Sequence, residues 1–408
     1  MLKNKRQGHA DPVKIFVLSV TVSALIYFII YAIIGNGRFA DIFFKRCADF
    51  FMDFFNSVRD ASQGSAVYTE RHVIYPPMAN LIYLIFSRFT PNAYNDTDFT
   101  DRFEWHEYAS PMMLTVIIST AFAIIFCFIV YSRLEHPSRY LRFAFAFFAF
   151  FSAPLLYMTE RGNMMIFCMI SLMIYAFTYG SKSRLHREIG LLCLAFAFSI
   201  KLYPVVFGWL LISDKRYKDA IRCAVYGLLM LIIPSFFFGG PVCFVHLFNN
   251  IFNFSAGTDS TLSTILNYIG ASAAGKSVFT AAVYVWVMIC GICFAVSPFI
   301  TDDKWKTWTL GLATILCVPS LTSNYGWAFF IIPIIMICNK QNRRRSNMLY
   351  VIFMTIPFIF LPFRINYYVT PTTVAVYVMT AVLSVYSVAD TVMMTVKRLR
   401  QRKIAESN

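Results

Sequence analysis

The sequence predicts an all-α polytopic membrane protein. It has about 12 transmembrane crossings and an extracytoplasmic first loop that carries interfacial helices. Three observations predict this class. The 408 residues are 58% hydrophobic and only 14% charged. Runs of about 20 apolar residues, long enough to span a hydrocarbon core, recur along most of the chain. Short loops rich in Lys and Arg alternate with loops that lack them, as alternating sides of a membrane require. A soluble globular class is excluded. The net charge of +15 would ordinarily suggest nucleic acid, but the basic residues sit in short loops and tails, where they set topology. Residues 1–408 read as one integral membrane domain, with an extracytoplasmic loop at 36–110 and a basic cytoplasmic tail at 396–408.

Lys3, Lys5, Arg6 and Lys14 place the amino terminus in the cytoplasm. Residues 13–34 cross outward and carry no small-residue cleavage site, so no cleaved signal peptide is expected. An interfacial helix follows. Counting about 100° per residue, Asp53 falls about 40° and Asp60 about 20° from Asp49, with Arg46 and Asn56 beside them. Phe43, Cys47, Phe50, Phe54 and Val58 take the opposite side. The aromatic side then faces lipid or protein, and the carboxylate side faces water. Gly64 ends this helix, and Tyr75-Pro76-Pro77 opens another over 78–89. Carboxylates aligned at a membrane surface suit acid/base chemistry. A solvated face of an amphipathic helix accounts for them too.

After a polar loop, 112–131 cross inward and 143–157 outward, ending at Glu160-Arg161-Gly162-Asn163. Residues 164–179 return. Residues 189–200 and 205–212 are each too short to span, and Lys201-Leu202-Tyr203-Pro204 separates them. The basic loop 214–222 favours a broken hairpin, with Lys201 at or below the outer surface, where an unpaired charge is costly. Then 224–238 cross outward, 277–299 inward, and 309–321 outward to Ser323-Asn324-Tyr325-Gly326-Trp327. Residues 328–338 return to Arg343-Arg344-Arg345, 348–363 cross outward, and 372–394 come back inside. Both termini are therefore cytoplasmic. Asp49, Asp53, Asp60, Glu70, Arg71, His72, Glu160, Arg161 and Lys201 gather outside, which suggests one reaction chamber at the outer face of a cell membrane.

Each candidate has a plainer reading beside it. Lys201 can hold a lipid-borne phosphate as a point charge, or pair with a nearby carboxylate. Arg161 can grip phosphate bidentately, or pair with Glu160. Arg71 is a further cation for the same phosphate. His72 can serve as a base or as an ordinary loop residue. Cys290 and Cys293 have redox-motif spacing but fall mid-span without a polar partner, so they read as packing. No His/Asp/Glu cluster has metal-ligand spacing, and no Gly-rich loop carries a Walker lysine. No cofactor is expected, although the outer carboxylates leave a weakly bound divalent cation open.

Taken in order, the chain shows an Asp-led aromatic stretch after the first span (Asp49 or Asp53) and a Tyr-Pro-Pro turn (Tyr75 to Pro77). A Gly-Asn junction between spans (Gly162, Asn163) and a Lys-x-x-Pro break (Lys201, Pro204) follow. In this it resembles polyprenyl-phosphate-sugar-dependent membrane glycosyltransferases of the C-type superfamily, family 87, the alpha-mannosyltransferase type. The resemblance implies a GT-C-like fold, an aspartate of the first outer loop as catalytic base, a polyprenyl-phosphate-linked donor and inversion at the sugar. It implies transfer of a mannose-like hexose to a lipid-linked or cell-surface glycan. Asp60, His72, Tyr75, Asn163, Tyr325 and Trp327 are then the substrate-binding candidates, and no nucleic acid is a partner. The family's late Ser-Trp-x-His motif is matched here only by Ser323 to Trp327, without the histidine. A transporter or flippase of lipid-linked glycans, or a glycan polymerase or ligase, is the competing reading.

Overall fold

The structure is a computed structural model that describes residues 11–34, 51–89, 109–257, 270, 272–318, 325–340, 345–361 and 371–407. Asp49 lies outside the described residues, as do Cys47 and the loop at 90–108. Every regular element among the described residues is helical. Five helices are long and apolar enough to cross a membrane: Pro12–Ile33, Met112–Arg133, Tyr217–Phe238, Ala274–Ile300 and Thr372–Gln401. The pair Arg139–Phe150 and Ala153–Arg161, bent by 50°, makes up to six. The other expected crossings fall on shorter apolar helices such as Met165–Thr178 and Tyr325–Cys338. Leu25, Phe28, Ile29 and Ile33 of the first helix, and Ile221, Leu228, Ile233 and Phe236 of the third, are exposed on the protein surface. Apolar faces of this extent suit lipid rather than water.

The chain forms two compact units. One comprises residues 1–42, 126–156 and 271–408. In it α1 (Pro12–Ile34) packs on α6 (Arg139–Phe150), while α13 (Ala273–Ile300), α14 (Lys304–Cys317) and α17 (Pro371–Ser407) pack mutually. Asp11 starts α1 by accepting the Val13 N–H at 3.1 Å, with Pro12 in the first turn. Trp327, a substrate-binding candidate from the sequence, belongs to this unit. It has no exposed surface. Its indole N–H donates to the Met354 carbonyl at 2.9 Å, and its ring centroid lies 4.3 Å from that of Phe330. A large aromatic ring with its polar atom satisfied internally is a packing residue. Tyr325 opens the same short turn, Tyr325–Phe330, and is half-buried.

The other unit comprises residues 43–125 and 157–270. Here α8 (Met165–Thr178) packs on α9 (Arg184–Ile200), α9 on α11 (Tyr217–Ser235), and α2 (Met52–Ser62) on α4 (Pro77–Ser87). Between α2 and α4 lies the single turn α3 (Ala66–Thr69), against which α12 (Cys243–Gly257) packs. Pro76 and Pro77 start α4 as read from the sequence. The chain breaks at Lys201, which is extended, before a tight turn at Tyr203–Gly208 and the short α10 (Trp209–Ser213). The broken segment around Pro204 is thus present.

The interfacial helix differs from its sequence reading at one point. Phe51 is left-handed, with φ 58°, and α2 begins only after it. A right-handed helix does not run through such a residue, because its Cβ crowds the neighbouring carbonyl. The register that placed Asp49 and Asp53 on one face therefore does not pass Phe51. From Met52 onward the reading holds: Met52, Phe54, Phe55, Val58 and Ala61 are buried, and Asp53, Asn56, Arg59 and Asp60 keep part of their surface in contact with solvent.

Candidate active site

The polar centre of this unit is assembled around the start of α2. Phe51 N–H donates to the Glu160 carbonyl at 2.7 Å, which ties the α2 entry to the end of α7 (Ala153–Arg161). Gly162 makes the close approach possible. Its φ is +61°, and a Cβ there would lie 2.9 Å from Phe54 Cβ and 3.2 Å from Phe51 Cδ1. Gly162→Ala is expected to cost about 1–2 kcal/mol from the left-handed backbone alone, with more from crowding at Phe54. Thermal melting checks this. An unchanged melting temperature would mean that the junction relaxes freely.

With the two segments locked, Asp53 faces Arg161 and Asn163. Arg161 Nε donates to Asp53 Oδ1 at 3.1 Å, and Nη2 reaches the same oxygen. Asn163 Nδ2 donates to Asp53 Oδ2 at 2.8 Å and to the Tyr75 hydroxyl at 3.2 Å. The Asn163 carbonyl oxygen meanwhile accepts the Met165 N–H at 3.0 Å, capping α8. An amide can do all three because it carries both donors and an acceptor. Lys201 completes the group: its ammonium stands 4.1 Å from the centroid of the Tyr75 ring, a cation–π contact. The ammonium has no hydrogen-bond partner among the described residues.

Two features give this centre chemical capacity. A carboxylate offers about four lone-pair sites, and among the described residues Asp53 Oδ2 accepts only from Asn163, so it retains room for a substrate hydroxyl. Burial pushes the Tyr75 phenol well above its usual value, with Tyr83 and Asp53 acting in the same direction. Tyr75 therefore stays a hydroxyl, and its own proton has no acceptor among the described residues. Aspartate, guanidinium, amide, phenol and ammonium thus meet in one place.

Of the residues singled out from the sequence, Asp53, Arg161, Asn163, Tyr75 and Lys201 come together. Arg161 is paired with Asp53 rather than with Glu160 alone. Asp60 is occupied by its neighbour: Arg59 Nε and Nη2 donate to its Oδ1 at 3.2 and 3.1 Å. Burial raises the Asp60 carboxyl above its ordinary value, against the pull of Arg59 and Arg71. His72 is exposed, in a left-handed conformation at the turn before Tyr75. Neither Arg71 nor His72 has a contact with Asp53.

The sequence reading missed the support beneath Tyr75. Asn80, buried in α4, donates to the Tyr68 hydroxyl at 2.8 Å and to the Tyr75 carbonyl at 3.2 Å. Tyr68 donates to the same carbonyl at 2.9 Å. One signal was legible: Asn80 is the lone amide in an otherwise apolar helix, and a buried amide must be bonded.

Fold and centre together define a multi-pass, all-helical membrane protein with a carboxylate-centred polar site. Residues 74–323, more than half of the chain, match the model of glycosyltransferase family 87. The chain belongs to that family and is a glycosyltransferase. The transporter reading gives way to this. Tyr75, Arg161, Asn163 and Lys201 lie within the matched stretch, and Asp53 precedes it. No curated protein sequence matches the chain. No solved structure matches it either.

Proposed function

We propose that the chain transfers a mannose-like hexose, with inversion, from a polyprenyl-phosphate donor to a lipid-linked or cell-surface glycan. The observation that carries this reading is the gathering of Asp53 and Lys201 about Tyr75, with Asn163 bridging Asp53 and the Tyr75 hydroxyl. Asp53 is held by Arg161 and Asn163, and Lys201 lies over the Tyr75 ring. The acceptor hydroxyl gives its proton to Asp53 Oδ2 as its oxygen attacks the anomeric carbon. The bond from that carbon to the phosphate oxygen breaks on the opposite face, and its electron pair leaves with the lipid phosphate. Lys201 offsets the charge that develops there. Arg161 and Asn163 fix the base, and Tyr75 offers its proton to a sugar oxygen. Side chains supply the positive charge in this reading.

The test is sugar transfer by purified protein, with a panel of polyprenyl-phosphate sugars set against nucleotide sugars. Transfer from lipid-phosphate sugars alone is expected. Transfer from nucleotide sugars alone would overturn the donor.

The same reading puts the centre on the extracytoplasmic side of the cell membrane, with both termini inside and about 12 crossings. The charge of the connecting loops supports it. In a background without native cysteines, Thr69→Cys is expected to react with an impermeant thiol reagent from outside, and Lys182→Cys only after the membrane is opened. The reverse pattern would invert the topology.

A further inference from the structure

A second cavity in the same unit takes no part in the centre at Asp53. Its volume is about 240 Å³, and Ser65, Tyr68, Thr69, Glu70, Phe238 and His246 are among the residues that line it. The slot beside Asn163, by contrast, holds only about 10 Å³. A water needs roughly 10–15 Å³ on this measure. The slot therefore takes one water at most, whereas the second cavity has room for a sugar ring.

The lining narrows the ligand. No Lys or Arg is among the described residues that line the cavity, and Glu70 is. A phosphate or other anion would meet a like charge there without compensation. The hydroxyls of Ser65 and Thr69, the Glu70 carboxylate and the His246 imidazole offer the mixture of donors and acceptors that neutral hydroxyl groups need. Tyr68 and Phe238, both buried and edge to face with centroids 6.3 Å apart, form the packed floor of the cavity.

The walls are held in place. Buried Asn250 of α12 donates to the carbonyls of Tyr68 at 2.9 Å and Val73 at 3.2 Å, so the helix that carries His246 is fastened to the turn that carries Thr69. The cavity is also joined to the polar centre. Tyr68, which lines it, donates to the Tyr75 carbonyl at 2.9 Å, and the Tyr75 hydroxyl receives the Asn163 amide that holds Asp53.

We propose that this cavity is an acceptor subsite, holding a neutral sugar ring adjacent to the one that receives the hexose. The proposal rests on the glycosyl-transfer reading above and deepens it. The acceptor is a glycan of at least two sugar residues, and Glu70, Thr69 and His246 read the second.

Full-length protein in lipid nanodiscs tests this, with octyl mannoside and octyl mannobioside as acceptor probes. The mannobioside is expected to show a KM about tenfold lower, as one or two added hydrogen bonds would give. Glu70→Gln and Thr69→Trp, the second filling the cavity, should raise the mannobioside KM to that of the mannoside. They should leave kcat and the mannoside KM unchanged. Equal KM values for both probes in the wild type, or variants that shift both alike, overturn the subsite. Saturation-transfer NMR of octyl mannobioside, with no donor present, gives a reading that does not depend on catalysis. The second ring is expected to receive magnetisation from the wild type and to lose it in Thr69→Trp. Contact without any sugar transfer keeps the subsite and rejects the donor assignment. Transfer without contact rejects the subsite and keeps the donor.

Discussion

Asp53→Asn is expected to slow single-turnover sugar transfer by about 10²–10⁴, the usual cost of losing a general base. The substitution keeps the shape of the side chain and removes the oxygen that would take the acceptor proton. The competing account is that Asp53 merely pairs with Arg161, and magnitude separates the two. The paired side chains retain 22% and 17% of their exposure. They are partly solvated, and a solvent-exposed pair is typically worth about 0–1 kcal/mol. A fully buried pair would cost about 3–5 kcal/mol to break. Either cost falls chiefly on the folded state, so it appears as a lower melting temperature with a rate close to wild type. The base reading demands the opposite: a collapsed rate with modest thermal change. Donor affinity should stay within about threefold, because Lys201 is untouched. Asp60→Asn is the control, since Arg59 already occupies that carboxylate. Near-wild-type transfer by Asp53→Asn would remove the catalytic reading of α2, and a collapse in Asp49→Asn alone would move the base to the other candidate.

What could be read in advance divides along a physical line. Features set by local pattern were legible. The apolar runs, the proline start of α4 and the break after Ile200 depend on residues within a few positions of one another. The aromatic and polar sides of α2 were legible for the same reason from Met52 on. What depends on distant partners was not. Asp53 and Arg161 stand more than a hundred positions apart, and nothing near either names the other. Arg161 therefore read as a phosphate ligand or as a partner of its neighbour Glu160, and Asp53 did not enter. The packing of Trp327 was hidden in a related way. An aromatic residue at a polar turn looks the same in sequence whether its N–H meets a sugar or the Met354 carbonyl. The left-handed Phe51 left no trace at all, since phenylalanine is a poor choice for that conformation. The Glu160 carbonyl that receives its N–H belongs to the far segment. The glycine on the far side, Gly162, was visible. Its reason, the approach of Phe54, was not.

Lys201→Met is expected to weaken donor binding by about 10–100-fold, the range that corresponds to losing a hydrogen bond to a charged group. Methionine keeps an unbranched apolar stem over Tyr75 and deletes only the ammonium. The charge sits at the break between α9 and the Tyr203–Gly208 turn, half-buried and over an aromatic ring. A cation–π contact satisfies part of an ammonium, worth about 0.5–2 kcal/mol. It leaves the three N–H donors for oxygens of a ligand. A structural role would therefore show as a small loss of stability with donor affinity unchanged. A phosphate role predicts the reverse, and a pair of competitors isolates it. A polyprenyl phosphate should bind wild type more tightly than Lys201→Met, whereas the neutral polyprenol should not distinguish them. Lys201→Arg should recover part of the affinity, because it restores charge with a different donor geometry. If the negative charge on the phosphate grows in the transition state, single-turnover transfer at saturating donor will also fall in Lys201→Met, beyond what affinity explains. Equal binding of the polyprenyl phosphate by wild type and Lys201→Met would leave Lys201 as a clamp on Tyr75, and the leaving group would need its charge from elsewhere.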